Sequence, residues 1–229
     1  HPRFSDMELN PLTALSPIDG RYARQTDALR DIFSECAFMN ARVRVEVEWL
    51  ISLSEAGFAE LPHLSDHGKA FLRGLADNFS LADCEAIKEI EKTTNHDVKA
   101  VEYWIKNQVA HDEELKSASE FVHFSCTSED INNTSHAIML KRGREALADY
   151  LQQIHDTIAG FAHQWAEIRM LSRTHGQTAS PTTVGKEFAN VAVRLERVIE
   201  AIRAVKIYAK MNGAVGNYNA HLVSYPEYD

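Results

Sequence analysis

Cysteine, glycine and proline are all scarce in this chain. With 3 Cys, 10 Gly and 6 Pro among 229 residues, a disulfide-stapled scaffold, a collagen-like repeat and low-complexity disorder are excluded. Cys36, Cys84 and Cys126 are odd in number and irregular in spacing, which predicts free thiols in a reducing compartment. Basic charge is also short: 24 Lys+Arg stand against 33 Asp+Glu, a net charge of −9. That is the wrong sign for a nucleic-acid partner, whose phosphates reward clustered Lys and Arg. A small anionic substrate, which senses only its own pocket, stays admissible. No apolar run approaches the ~18 residues of a membrane span, and the opening residues do not read as a basic-then-apolar leader. The expected setting is cytoplasmic. Residues 1–6 read as a vector remnant before a start at Met7.

Several chemistries fail on spacing. His123 and Cys126 are three apart, but no second pair at zinc spacing follows, so no metal is expected. Gly213 and Gly216 lack the lysine and hydroxyl of a phosphate loop, and there is no G-x-S-x-G elbow.

What the chain does have is helical periodicity. Leu29, Ile32, Phe33, Val43, Val47, Leu50 and Ile51 recur at helical intervals, and shorter patterns cover 69–79 and 84–90. Val98, Val101, Trp104, Ile105 and Val109 form the next apolar stripe. From Ile131 through Leu147, Ile158 and Phe161 to Ile168 one stripe continues for some ten turns. A second runs from Val184 to Val205 and is expected to end at Gly213 and Gly216. Helices this long exceed the ~10–14 residue average and belong to bundles. No alternating run predicts a sheet. The expected fold is all-α: an N-terminal helical domain over 7–120, then over 121–229 the first part of a long-helix bundle. Two helices bury one stripe only, and a bundle needs more of them, so a fragment of a longer protein is expected.

Three polar segments, the third of them a pair, interrupt or start helices. Arg21, in the turn 16–22, offers a planar fork for a phosphate or carboxylate, although a plain surface arginine fits as well. Thr94, Asn95 and Asp97 suit the capping of a helix start, itself a ready anion site. His96 is surplus to that capping. The segments 125–133 and 172–177 lie towards opposite ends of the first long helix. About 40 residues at 1.5 Å rise separate them by some 60 Å, so if both serve one site, different subunits must supply them. His175, flanked by Arg173, Thr174 and Gln177, suits proton transfer, and a surface loop histidine is the plain alternative.

Taken in order, SPIDGRY at 16–22, KTTNHDVKAVEYW at 92–104, EFVHFSCTSEDINN at 120–133, LSRTHGQTASPTTVGKE at 171–187 and NGAVGNYNAH at 212–221 resemble the adenylosuccinate lyase family of the fumarase/aspartase superfamily. The RTHGQ and TSED segments point only to the superfamily; SPIDGRY and TTNHDVKAVEY narrow it. The resemblance implies a homotetramer that pools its long helices and shares each active site among subunits. It implies removal of fumarate from adenylosuccinate, giving AMP, and from the succinylated carboxamide ribotide of purine synthesis, with no metal or organic cofactor. It makes His175 the general acid and His96 its assistant. Arg21 and Tyr22 fall at the nucleotide phosphate, Asn95 and Asp97 on substrate, and Thr127 and Ser128 at a succinyl carboxylate, with Gln177 nearby.

The family's mobile loop carrying its serine base is missing from these residues, so the chain alone is expected to be inactive. Two other readings compete: a non-catalytic helical module for nucleotide binding or oligomerisation, and another fumarate-releasing lyase acting on argininosuccinate.

Overall fold

The structure, a computed structural model, describes residues 10–228; the expected vector remnant and the start at Met7 lie outside them. Helices dominate the described residues. After a 3-10 segment Ala23–Leu29 come α1 (Arg30–Phe33), α2 (Glu35–Glu55), α3 (Asp66–Asp77), α4 (Leu81–Thr94), α5 (Asp97–Val109) and α6 (Glu113–Ala118). Next are α7 (Ser128–Gln164), the strands β1 (Arg169–Thr174) and β2 (Gln177–Thr183), α8 (Val184–Ala204) and α9 (Asn219–Ser224). None of the described helices is long and apolar enough to cross a membrane.

Local chemistry sets these boundaries. Ser34 breaks what reads in sequence as one stripe, because its hydroxyl accepts from the Ala37 N–H at 3.1 Å and so starts α2 afresh. Ser65 does the same for α3, accepting from the Gly68 N–H. The carboxylate of Asp83 reaches back to the Ser80 N–H at the start of α4.

The chain divides into two compact units, one holding residues up to Met139 and from Tyr208 onward, the other Leu140–Ile207. The first has a conventional core. Val43, Val47 and Leu50 of α2 meet Leu61, Leu72, Ile87, Val101, Ile105 and Leu115 in one buried cluster. Each such side chain contributes roughly 1.5–3 kcal/mol on burial. Cys36 and Cys84, at the starts of α2 and α4, are joined as a disulfide with Cα atoms 5.7 Å apart, and Cys126 is free. The expectation of three free thiols is corrected here: spacing in sequence does not report which helix starts the fold brings side by side.

In the second unit α8 packs back along α7. Phe161 and Trp165 stack at 4.7 Å, and Phe188 meets both rings. The backbones come close at Gly185, where an added Cβ would lie 2.3 Å from the Ala162 carbonyl oxygen. The second helix does not reach Gly213. It stops at Ala204, where Val205 turns extended and its carbonyl accepts from Arg144. Farther along, in the first unit, Asn133 holds Lys210 in extended form, accepting from its N–H at 2.8 Å and donating to its carbonyl at 3.0 Å.

Between α7 and α8 a two-stranded antiparallel hairpin stands where the sequence reads only as a polar break. Its residues are mostly exposed, so no apolar alternation announces it. Its register slips between Leu171 and Arg173, opposite the stretch that holds Pro181.

Candidate active site

The site-bearing residues fall into three groups. The best defined starts from the turn between α4 and α5. Asn95 ends α4 in the left-handed region (φ 51°), which its short amide side chain tolerates. The backbone then swings extended at His96, whose Nδ1 accepts from the Lys99 N–H at 3.2 Å and so caps α5. An Nδ1 that accepts leaves the proton on Nε2. That nitrogen lies 3.4 Å from Ser128 Oγ at the first residue of α7.

Asp97 is already engaged. One carboxylate oxygen accepts from the Val98 N–H at 2.9 Å and the other from Arg42 at 2.5 Å. Burial works to raise its pKa, but the Arg42 charge and these bonds outweigh it and hold the carboxyl below the usual range.

Thr127 is set by Asp130. The buried Asp130 carboxylate accepts from the Thr127 N–H at 2.9 Å, from Lys210 Nζ at 2.7 Å, and from the N–H groups of Asn212 and Gly213. Burial opposes ionisation there as well, yet this ring of donors keeps the carboxyl ionised to lower pH than usual. Thr127 thereby lines a cavity of about 270 Å³ together with Ser125, Cys126, Asn212 and Asn217. Ser125 Oγ and Asn212 Oδ1 are buried there without a hydrogen-bond partner among the described residues. Burial pushes the Cys126 thiol far up, so it stays protonated.

His123, which in sequence stands with Cys126 only as a failed zinc spacing, pairs instead with the buried Glu46. Glu46 Oε1 lies 2.6 Å from His123 Nδ1, and His123 is in the left-handed region at φ 63°. Burial raises the Glu46 pKa, and Glu46 raises that of His123 against the opposing effect of burial, so the pair holds a proton more tightly than its parts. Charged residues inside an apolar stripe, Arg42 and Glu46 among Val43, Val45 and Val47, are the signal that marks such a network in sequence.

The second group is the hairpin turn of the other unit. His175 (φ 50°) and Gly176 (φ 73°) are its two tip residues, closed by the pair Thr174 and Gln177. Positive φ at both positions is the mark of a type I′ turn. The imidazole is therefore presented at an exposed tip. Arg21 and Tyr22 form the third group, in an exposed turn where the Tyr22 N–H donates to the Pro17 carbonyl and the Arg21 guanidinium lies 5.5 Å from the Tyr22 ring centre. Among the described residues, no cluster of three or more His, Cys, Asp or Glu could hold a metal ion.

A family profile described as "Lyase" matches residues 20–229. The chain belongs to the lyase family. It is 55% identical over 225 residues to an adenylosuccinate lyase of Vibrio cholerae, which covers 97% of this chain and 49% of that protein. An adenylosuccinate lyase of Escherichia coli is 53% identical over the same shares. This lyase-family chain thus spans about half the length of the curated relatives it matches. Among solved structures, a fumarate lyase from Mesorhizobium sp. BNC1 superposes with a TM-score of 0.67 at 18% identity, covering 85% of this chain and 44% of that one. A β-carboxy-cis,cis-muconate cycloisomerase from Acinetobacter calcoaceticus gives 0.66 at 21%, covering 86% and 46%. At such identities these two establish the helical fold alone.

Proposed function

We propose that this chain is the N-terminal half of an adenylosuccinate lyase, which releases fumarate from adenylosuccinate and from the succinylated carboxamide ribotide of purine synthesis. The observation that carries this reading is the His96–Ser128 pair, 3.4 Å apart and built from two of the segments that resemble the family.

The reaction takes a weakly acidic proton from the succinyl carbon. The electron pair left behind becomes the C=C bond of fumarate as the C–N bond breaks, and the departing nitrogen gains a proton. Negative charge builds on the adjoining carboxylate, so donors fixed in advance lower the barrier. Thr127 and Ser128, at the start of a 37-residue helix, have the position of such donors, with the helix N-terminus adding its partial charge. His175 is proposed as the acid that protonates nitrogen and His96 as its assistant. Asn95 and Gln177 would contact substrate, and Arg21 and Tyr22 its phosphate. Asp97, spent on Arg42, would act on substrate only through the helix start that it stabilises. The base is proposed to come from the other half of the protein.

Helix α7 runs unbroken from Ser128 to Gln164, roughly 55 Å of rise. That length supports a homotetramer in which His175 of one subunit serves the His96–Ser128 pair of another. The second unit offers an interface: Leu147, Ile154, Val191 and Val198 are each about half exposed on α7 and α8. The proposed division is a helical domain over 7–120 and a bundle domain from 121. A cytoplasmic setting is proposed from the substrate, a charged nucleotide that does not cross membranes unaided.

The test is complementation in the full-length protein. Ser128→Ala and His175→Ala are each expected to be nearly inactive on adenylosuccinate. Mixed, dissociated and reassembled, they are expected to regain part of the fumarate release, because some sites then hold both native residues. Absence of fumarate release by the unmutated protein overturns the activity, and absence of regain overturns the sharing of sites.

A further inference from the structure

We infer that Arg42 is a positioning residue for this reaction: one guanidinium, shared between the starts of α5 and α7, sets the approach of His96 to Ser128. The inference rests on the lyase reading above.

Arg42 lies in the middle of α2 and is only 5% exposed, so it is not placed to meet substrate. Its Nη2 donates to Asp97 Oδ2 at 2.5 Å and its Nε to Asn132 Oδ1 at 2.9 Å. Asp97 directly follows His96 and is the first residue of α5. Asn132 is four residues after Ser128 in α7, one turn along the same helix face. Each arm therefore ends beside one member of the pair. The guanidinium lies 3.9 Å over the face of Phe38, whose ring in turn stacks on His136 of α7 at 4.4 Å, which fixes the plane of the fork.

Stability is a weak reason for an arginine here. Arg42 is buried while Asp97 is half exposed, and taking a charge out of water offsets much of its attraction to a partner. What the planar fork supplies is geometry, two donors at a fixed angle to two different helices, which the single ammonium of lysine cannot reproduce. The depressed pKa of Asp97 agrees, since burial works to raise it and the neighbouring Arg42 charge outweighs that.

The test uses the full-length enzyme with Arg42→Lys, measured beside the unmutated protein and in a Ser128→Ala background. An unmutated protein without fumarate release overturns the lyase reading itself. With an active one, Arg42→Lys is expected to lower kcat on the order of 100-fold, as a misplacement of about 1 Å does, with KM changed less than about threefold. In the Ser128→Ala background the same change is expected to cost less than about threefold, because the aligned pair is already gone. Full kcat in Arg42→Lys, a loss confined to KM, or an undiminished loss in the Ser128→Ala background overturns the proposal. Should Arg42→Lys not fold, Asn132→Ser removes one arm only and decides the matter. A kcat loss of roughly tenfold that vanishes with Ser128→Ala supports the proposal, and full activity overturns it.

Discussion

His96 Nε2 faces Ser128 Oγ across 3.4 Å, while Nδ1 of the same ring caps α5. One imidazole thus has a structural edge and a chemical edge, and the two can be separated. Asparagine is among the best N-caps. His96→Asn in the full-length protein is therefore expected to keep thermal stability while losing about 100-fold or more in turnover. His96→Ala is expected to lose both, with about 0.5–2 kcal/mol of stability gone with the cap. Thermal unfolding alongside fumarate release distinguishes them; equal activity in His96→Asn and the native protein would show that the ring only caps.

His175 makes no such dual contribution. At an exposed tip with φ 50° it needs a residue that accepts the left-handed region, and asparagine does so. His175→Asn is expected to stay within about 0.5 kcal/mol of native stability while turnover of the full-length enzyme falls roughly 100- to 10,000-fold. Circular dichroism and steady-state rates on the same sample are the measurements.

Gly185 has no room for a methyl group: the added Cβ would lie 2.3 Å from the Ala162 carbonyl oxygen and 2.6 Å from the Ala166 backbone. These are backbone atoms, so a helix must move. Gly185→Ala is expected to destabilise by about 1–3 kcal/mol or more, read as a lowered unfolding midpoint. An unchanged midpoint would mean that α7 and α8 do not approach so closely.

The Glu46–His123 pair gives a pH signature. Both pKa values are raised in the folded state, so folded protein binds the shared proton more tightly than unfolded protein does. The stability this supplies is complete below the ordinary values, 4.5 for glutamate and 6.5 for histidine, and drains away as pH rises through the raised ones. Glu46→Gln removes the carboxyl titration and keeps a hydrogen-bonding amide. The stability difference between native protein and Glu46→Gln, followed by chemical denaturation, is expected to shrink as pH climbs from 5 towards 8. A difference that is flat or grows with pH contradicts the pairing.

The helices were legible because apolar side chains recur on one face, and the polar segments were legible because caps and interruptions stand out against that rhythm. Ser34 split the first stripe because one hydroxyl meeting one backbone N–H overrides a continuing pattern. The hairpin escaped because both its faces are largely wet, although the His175-Gly176 dipeptide carried the turn signal. The apolar stripe carries the second long helix past its true end, since nothing local in sequence marks Val205 as the residue whose carbonyl an arginine 61 positions away captures. Of the residues named from sequence, His96 and Ser128 approach within 3.4 Å inside the first unit. Asp97 follows His96 with its carboxylate turned to Arg42. The pairings of Arg42, Glu46 and His123 do not show in sequence because their partners lie 55 to 90 positions away, and only tertiary structure shows such distant neighbours.

The first unit is interrupted in sequence: its chain departs at Met139 and resumes at Tyr208. Asp130, wholly enclosed, depends on Lys210, Asn212 and Gly213 from the far side of that interruption. During synthesis on the ribosome the carboxylate must wait, still hydrated, until the entire intervening unit has been translated. The pocket beside Thr127 is consequently among the last parts of the first unit to mature, well after the buried members of the apolar cluster around α2, which end at Val122, have been made.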